Sequence, residues 1–244
     1  MLTHPLTLAP KEAKASARGA DTAGPVAWWK FDETDGASAA DASGHRLVAR
    51  LQGQPRWAPG QGRFGGALEF DGVKDFVDGG DAEVFDFRDS LTVSAWLKVR
   101  RFDKPSQTLL SKGIDVWQLQ RHGEQGTLEF ALTGPQPTGK SQQRPPVIVS
   151  KRAVDDGQWH HAVGLYDGKQ AAFYLDGELQ GSVGVSGPIA QNTEPVLIGE
   201  NAASRGRPFN GWLDDVRLYN RGLSAEEIRA LYRGGTEPAG SGAK

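Results

Sequence analysis

Short runs in which apolar and polar residues alternate recur between residues 26 and 219, separated by turns rich in Gly and Asp. Alternation at period two marks a strand with one covered face. The runs predict strands at 26–31, 67–70, 91–99, 116–121, 128–132, 161–166, 171–175, 196–198 and 212–219. In 91–99, Leu91, Val93, Ala95, Leu97 and Val99 share one face, and Thr92, Ser94, Trp96 and Lys98 share the other. Asp167-Gly168 and Asp176-Gly177 are tight-turn pairs, and 167–170 should close a hairpin. A single helical pattern follows near the end. Ser224 and Glu227 form a capping box, Ile228, Leu231 and Tyr232 make an apolar face, and Gly234-Gly235 ends it. No helix–strand alternation occurs, which excludes a parallel α/β sheet. The expectation is an all-β chain: a two-sheet antiparallel sandwich with one short C-terminal helix that covers a sheet edge or one end.

Composition supports this picture. Of 244 residues 38% are hydrophobic, including seven Trp and ten Phe, enough for a sizeable core; 32 Gly and 14 Pro suit frequent turns. A net charge of −2 with scattered basic residues argues against nucleic acid as a partner. There is no Cys, so disulfides, thiolate metal sites and a Cys nucleophile are excluded. No run approaches the ~18 apolar residues of a membrane span, so no membrane insertion is expected. The first 25 residues carry Lys11, Glu12, Lys14 and Arg18 and no apolar stretch of a secretion signal. Residues 1–25 and 234–244 read as tails or linkers flanking a domain at 26–233, a module of a longer parent chain.

Seven stretches occur in order across that domain: Trp28-Trp29-Lys30-Phe31-Asp32-Glu33-Thr34-Asp35-Gly36; Asp41-Ala42-Ser43-Gly44; Phe64-Gly65-Gly66-Ala67-Leu68-Glu69-Phe70-Asp71-Gly72; Leu91-Thr92-Val93-Ser94-Ala95-Trp96; Trp159-His160-His161-Ala162-Val163; Phe173-Tyr174-Leu175-Asp176-Gly177; and Gly211-Trp212-Leu213-Asp214-Asp215-Val216-Arg217-Leu218-Tyr219-Asn220-Arg221 with Leu223-Ser224. Together they resemble the laminin-G-like branch of the concanavalin A-like lectin/glucanase superfamily. The resemblance implies a jelly-roll sandwich whose first and last strands lie side by side.

That adjacency would bring carboxylates distant in sequence together. Asp32, Glu33, Asp35 and Asp41 follow the first strand, and Asp214-Asp215 lie in the last. Ca²⁺ takes six to eight oxygen ligands, and similar family members often hold a structural Ca²⁺ here. The positions matching their pattern are Asp32 and Asp215, followed by Asp41 and Asp71. Neighbours on a regular strand point to opposite faces, so only one of Asp214 and Asp215 should face an ion. The competing expectation is that these acids organise turns and pair with Arg217. No EF-hand loop is present. His160-His161 cannot chelate one ion from one strand and reads as framework.

Catalytic patterns are missing. The Glu-x-Asp-x-x-Glu motif of retaining glycosidases fails at Lys74, three residues after Asp71, so Glu69-Phe70-Asp71 lacks its acid/base partner. There is no G-x-S-x-G elbow. Sugars stack on exposed aromatics. Trp96, Trp159 and Trp212 read as packing, one of Trp28 and Trp29 faces outward, and Trp57, Trp117, Arg121, His122, Lys112 and Asp115 are the candidate ligand surface. The polar loop at 133–150 could overhang it. The resulting expectation is a non-catalytic, carbohydrate-binding module with one Ca²⁺ on an exported bacterial protein, in an extracellular, periplasmic or cell-surface setting. A structural or protein-adhesion domain is the main alternative, and an atypical polysaccharide lyase or hydrolase the weaker one.

Overall fold

The structure is a computed structural model that describes residues 24–138 and 145–234. The expected terminal tails lie almost wholly outside the described residues, as does the middle of the 133–150 loop. Two antiparallel sheets face each other. The first runs β11 (Gln136–Pro137), β15 (Glu178–Ser186), β14 (Gln170–Leu175), β13 (Trp159–Tyr166), β7 (Leu91–Val99), β17 (Asn210–Tyr219), β5 (Leu68–Asp71) and β4 (Arg56–Trp57), with β1 (Ala27–Trp29) also on β17. The second runs β12 (Val147–Val149), β10 (Leu128–Leu132), β9 (Trp117–Arg121), β8 (Thr108–Ser111), β16 (Leu197–Ile198), β6 (Phe76–Asp78), β3 (Ala49–Gln52) and β2 (Ser38–Ala39). The first and last strands pair, Ala27 opposite Leu218, as the resemblance implies.

Alternation builds the core. Leu91, Val93, Ala95, Leu97 and Val99 of β7 point between the sheets with Trp29, Phe70, Phe173, Leu119 and Phe130. The sheets come so close at Gly164 that a Cβ there would sit 2.2 Å from the Phe130 ring. The Asp167-Gly168 hairpin forms, with the Asp167 carboxylate accepting from the Lys169 and Gln170 N–H groups. Strand β15, absent from the pattern-based expectation, carries two glycines and mostly exposed side chains, so its alternation is faint.

The helix α1 (Ala225–Tyr232) has the expected capping box, Ser224 accepting from Glu227 N–H and Glu227 from Ser224 N–H. Its position differs from expectation. It lies across the outer face of the first sheet, where Ile228 and Leu231 bury Val163, Leu165, Ala172 and Tyr219 with Leu223. The reason is local: these outward positions of β13, β14 and β17 are apolar and need cover. Ser224→Ala removes the N-cap oxygen and should lower stability by about 1 kcal/mol, read as a drop in Tm.

Candidate functional site

Strand β17 pairs with β7 along one edge, but its other edge is divided. Asn210–Leu213 pairs with β5, and Val216–Leu218 pairs with β1. Asp214 and Asp215 fall in the gap. On the β7 side, Asp214 lies opposite Trp96 and Arg217 opposite Ser94, so β17 holds one extra residue. Asp215 absorbs it with φ at 50°. A bulge of this kind re-aims side chains. Both acids therefore line the same cavity, correcting the expectation that a regular strand would send them to opposite faces.

That cavity, of about 210 Å³, is lined by Trp28, Lys30, Asp32, Phe64, Asp214, Asp215, Arg217 and Gly234. A neighbouring hollow of about 280 Å³ shares Lys30 and Asp32 and extends along Glu33, Ala40, Asp41 and Ala42. Trp29 is buried in the core, so its neighbour Trp28 faces outward. The Trp28 ring is flanked by Lys30 Nζ at 4.6 Å and the Arg217 guanidinium at 4.2 Å. Its Nε1–H donates to Asp215 Oδ1 at 2.6 Å. Arg217 also donates to that oxygen, through Nε at 3.1 Å and Nη2 at 3.0 Å. Arg217 and Asp215 form a buried pair, with side chains 9% and 6% exposed, and the half-buried Trp28 indole lies at its edge.

Asp214 is in a different situation. Its Oδ2 accepts from the Phe64 N–H at 2.9 Å, while its Oδ1 is buried without a partner. Burial pushes its pKa up to about 7; the charges of Asp215 and Asp32 add to this, while the Phe64 and Arg63 N–H groups oppose it. Asp32 Oδ1 accepts from the Gly66 N–H at 2.8 Å. The 62–66 loop is glycine-rich because it must lie against these acids: a Cβ on Gly65 would meet Asp32 Oδ1 at 2.3 Å, and one on Gly62 would meet the Gly66 carbonyl at 1.8 Å.

The remaining expected metal ligands serve turns. Asp41 accepts from Trp28 N–H, Ser43 N–H, the Ser43 hydroxyl and Leu47 N–H. Burial works against ionisation there, but the Leu47 and Ser43 donors prevail and hold its pKa below the usual range. Asp71 accepts from Val73, Lys74 and Asp75 N–H groups and stands opposite Asn210, well along β17 from Asp214. Among the described residues no group of three or more acidic, His or Cys side chains is arranged to hold a metal. Any hard cation in this cleft must draw most of its oxygens from carbonyls or water. The orphaned Asp214 Oδ1 and nearby Asp32 fit such a cation; Asp215, engaged by a guanidinium, does not.

The candidate ligand surface is dispersed. Trp117 is buried in the core. Trp57 packs against the core edge and donates to the Gly36 carbonyl at 2.9 Å. Lys112 is buried and paired with Asp81, and Asp115 accepts from Asn192. Arg121 ties together the Gln125, Lys104 and Glu124 carbonyls, and His122 pairs with Glu129. The inward positions of β9 explain Trp117 and Arg121: they alternate with the outward Gln118 and Gln120. Sequence reasoning passed over Lys30, Phe64 and Asp214 as a unit. The clustered glycines at 62, 65 and 66 were the available signal.

A family described as the concanavalin A-like lectin/glucanases superfamily matches residues 71–229. Among solved structures, the binding domain of Paraclostridial Mosquitocidal Protein 1 superposes with a TM-score of 0.68 at 15% identity, covering 86% of this chain and 52% of that one. Domain 4 of AbnA, a GH43 extracellular arabinanase from Geobacillus stearothermophilus, in complex with arabinotriose, gives 0.67 at 18% identity, with 86% and 98% covered. The binding domain of Botulinum Neurotoxin DC in complex with SialylT gives 0.61 at 14%, with 86% and 51% covered. The chain thus spans about half the length of the toxin binding domains and nearly all of the arabinanase domain. At these identities the likeness is one of fold.

Proposed function

Because this chain belongs to the concanavalin A-like lectin/glucanases superfamily, we propose that it is a non-catalytic module that binds a glycan at the cleft where β1 and β5 part. One observation carries this reading. The cleft sets the outward Trp28 ring beside Lys30, Asp32 and Arg217 in an open cavity. A sugar presents an apolar C–H face to an aromatic ring and hydroxyls to charged groups at its rim. The sugar-bound arabinanase domain and neurotoxin binding domain of the same fold support it. The reading carries with it an exported bacterial parent chain with further domains, comparable to the extracellular arabinanase. No helix among the described residues is long and apolar enough to cross a membrane.

A glycan array and calorimetry test the proposal. Trp28→Ala and Lys30→Ala should each weaken binding of the selected sugar by about tenfold, the loss of one stacking or charge-assisted contact. Lys30→Ala should leave Tm nearly unchanged, whereas Trp28→Ala also takes the Nε1–H donor from the buried Asp215 and should lower it. Failure to bind any sugar, with capture of a protein ligand instead, would replace the reading with the adhesion one. Release of products from a polysaccharide would replace it with an enzyme.

The proposal includes one structural Ca²⁺ at Asp32 and Asp214, with Asp214 in place of the Asp215 expected from sequence. The ion would offset the charge that burial penalises on Asp214. Adding Ca²⁺ to EDTA-stripped protein at 100 times its Kd should stabilise the fold by about 2.7 kcal/mol. Asp214→Asn should abolish that gain and Asp71→Asn should leave it. An unchanged Tm on adding Ca²⁺ removes the metal from the reading.

A further inference from the structure

The outward side chains of β7 are Thr92, Ser94, Trp96 and Lys98, and the first three are covered. Thr92 bonds to the Arg221 carbonyl and the Leu223 N–H. Ser94 bonds to His161. Trp96 lies under Tyr232, stacked at 5.5 Å, and Phe64, edge-on at 5.6 Å. The cover contributed by α1 and the 62–66 loop ends there. At the next position the register sets Trp159 of β13 and Trp212 of β17 on either side of Lys98, then Glu69 of β5 and Arg56 of β4. Five adjacent strands thus each contribute one outward side chain to a single row: aromatic, cation, aromatic, anion, cation.

Packing does not account for this row. Trp159 and Trp212 are each only half-buried, and neither belongs to a core cluster. Two strand spacings separate them, about 10 Å. Lys98 Nζ stands 5.6 Å from the Trp212 ring and has no carboxylate partner among the described residues. Arg100 lies 4.3 Å over the same ring, and it shares Glu69 with Arg56. Arg63 extends the positive side, 4.8 Å over Trp96. Asp71, the next outward acid on β5, is engaged in its own turn. Along the row itself three cations, Lys98, Arg100 and Arg56, therefore meet one carboxylate, Glu69, in a chain whose net charge is −2.

We propose that this row is a second subsite, for an acidic polysaccharide of the uronate type, resting on the glycan-binding reading above. Trp159 and Trp212 offer flat faces to sugar rings, and Lys98 between them, with Arg100, takes a ring carboxylate. A neutral glycan would leave the unpaired ammonium without a partner. An acidic peptide would match the charge but not the two spaced aromatic faces.

The test is calorimetry with oligogalacturonate and its methyl ester, at low and high salt. The acid should bind at least about tenfold tighter than the ester, a preference that fades with salt. Lys98→Gln should remove the preference. Trp212→Ala should weaken both ligands, and Trp212→Phe, which keeps a flat ring, should restore most binding. Equal affinity for acid and ester, or variants that bind like wild type, overturns the acidic subsite. If Trp28→Ala and Lys30→Ala alone abolish binding, the ligand sits in the cleft; the subsite falls and the function stands. If neither these ligands nor any other glycan binds, both fall.

Discussion

Lowering the pH from 7 to 4 is expected to cost the fold about 3 kcal/mol through one side chain, His161. Its ring is fully buried on the outer face of the first sheet, stacked at 5.0 Å on Trp96 and 6.4 Å from Tyr232. Nε2 meets the Ser94 hydroxyl at 2.8 Å, and Nδ1 has no partner. Burial, then the positive charge of Arg217, push its pKa from 6.5 to about 3 against the pull of Asp176. The unfolded chain takes up the proton near 6.5, whereas the folded one does so only near 3. Stability is thus complete above 6.5 and is lost progressively down to about 3, by about 1.4 kcal/mol per pH unit.

Other groups titrate in the same range. His160, raised chiefly by its hydrogen bond to Asp176, works in the opposite direction, as do the raised Asp75 and Asp214. The lowered Asp41, Asp71 and Asp176 add to the loss near the acid end. The measurement is therefore a difference: urea unfolding of wild type and His161→Gln at pH 7, 5.5 and 4. The variant should lose less stability over that interval. Parallel pH profiles would mean that His161 charges without cost, contrary to its burial.

Arg217→Met is expected to cost about 3–5 kcal/mol, because it leaves the Asp215 carboxylate buried without its cation. Burial alone would lower the Arg217 pKa, but Asp215 outweighs it and the guanidinium is held above its ordinary value. Adding Asp215→Asn removes the stranded charge and keeps an oxygen for the Trp28 Nε1–H, so the double variant should recover most of the loss. A double-mutant cycle by urea unfolding reads this coupling. A single-variant cost under about 1 kcal/mol would show that water reaches Asp215. The two predictions are linked: without the positive charge of Arg217, the pKa of His161 should rise and its acid sensitivity should ease.

Much of the fold was legible because alternation is a local property. Each of the nine expected strands has a counterpart, and 91–99 and 128–132 agree end to end. Short strands such as β2, β4 and β11 carry too few residues for a period to register. The site was less legible. The closeness of Asp32 to the last-strand acids followed from the resemblance. The choice of Asp215 likewise follows from the resemblance; that Asp214 and Asp215 point to opposite faces follows from a regular strand, which the positive φ at Asp215 interrupts. Trp159 and Trp212 were assigned to packing because they lie in framework strands. They are outward residues beyond the reach of α1, and that reach cannot be read from strand periodicity.

Strands, turns, the capped helix and the two-layer architecture are written locally in this chain, in side chains one, two or four residues apart. The meeting of Trp28 with Arg217, of Asp32 with Asp214, and of Trp159, Lys98 and Trp212 depends on register between strands up to nearly 190 residues apart. Only pairing geometry sets that register. A one-residue bulge then decides which oxygen is left without a partner and which is held by a guanidinium.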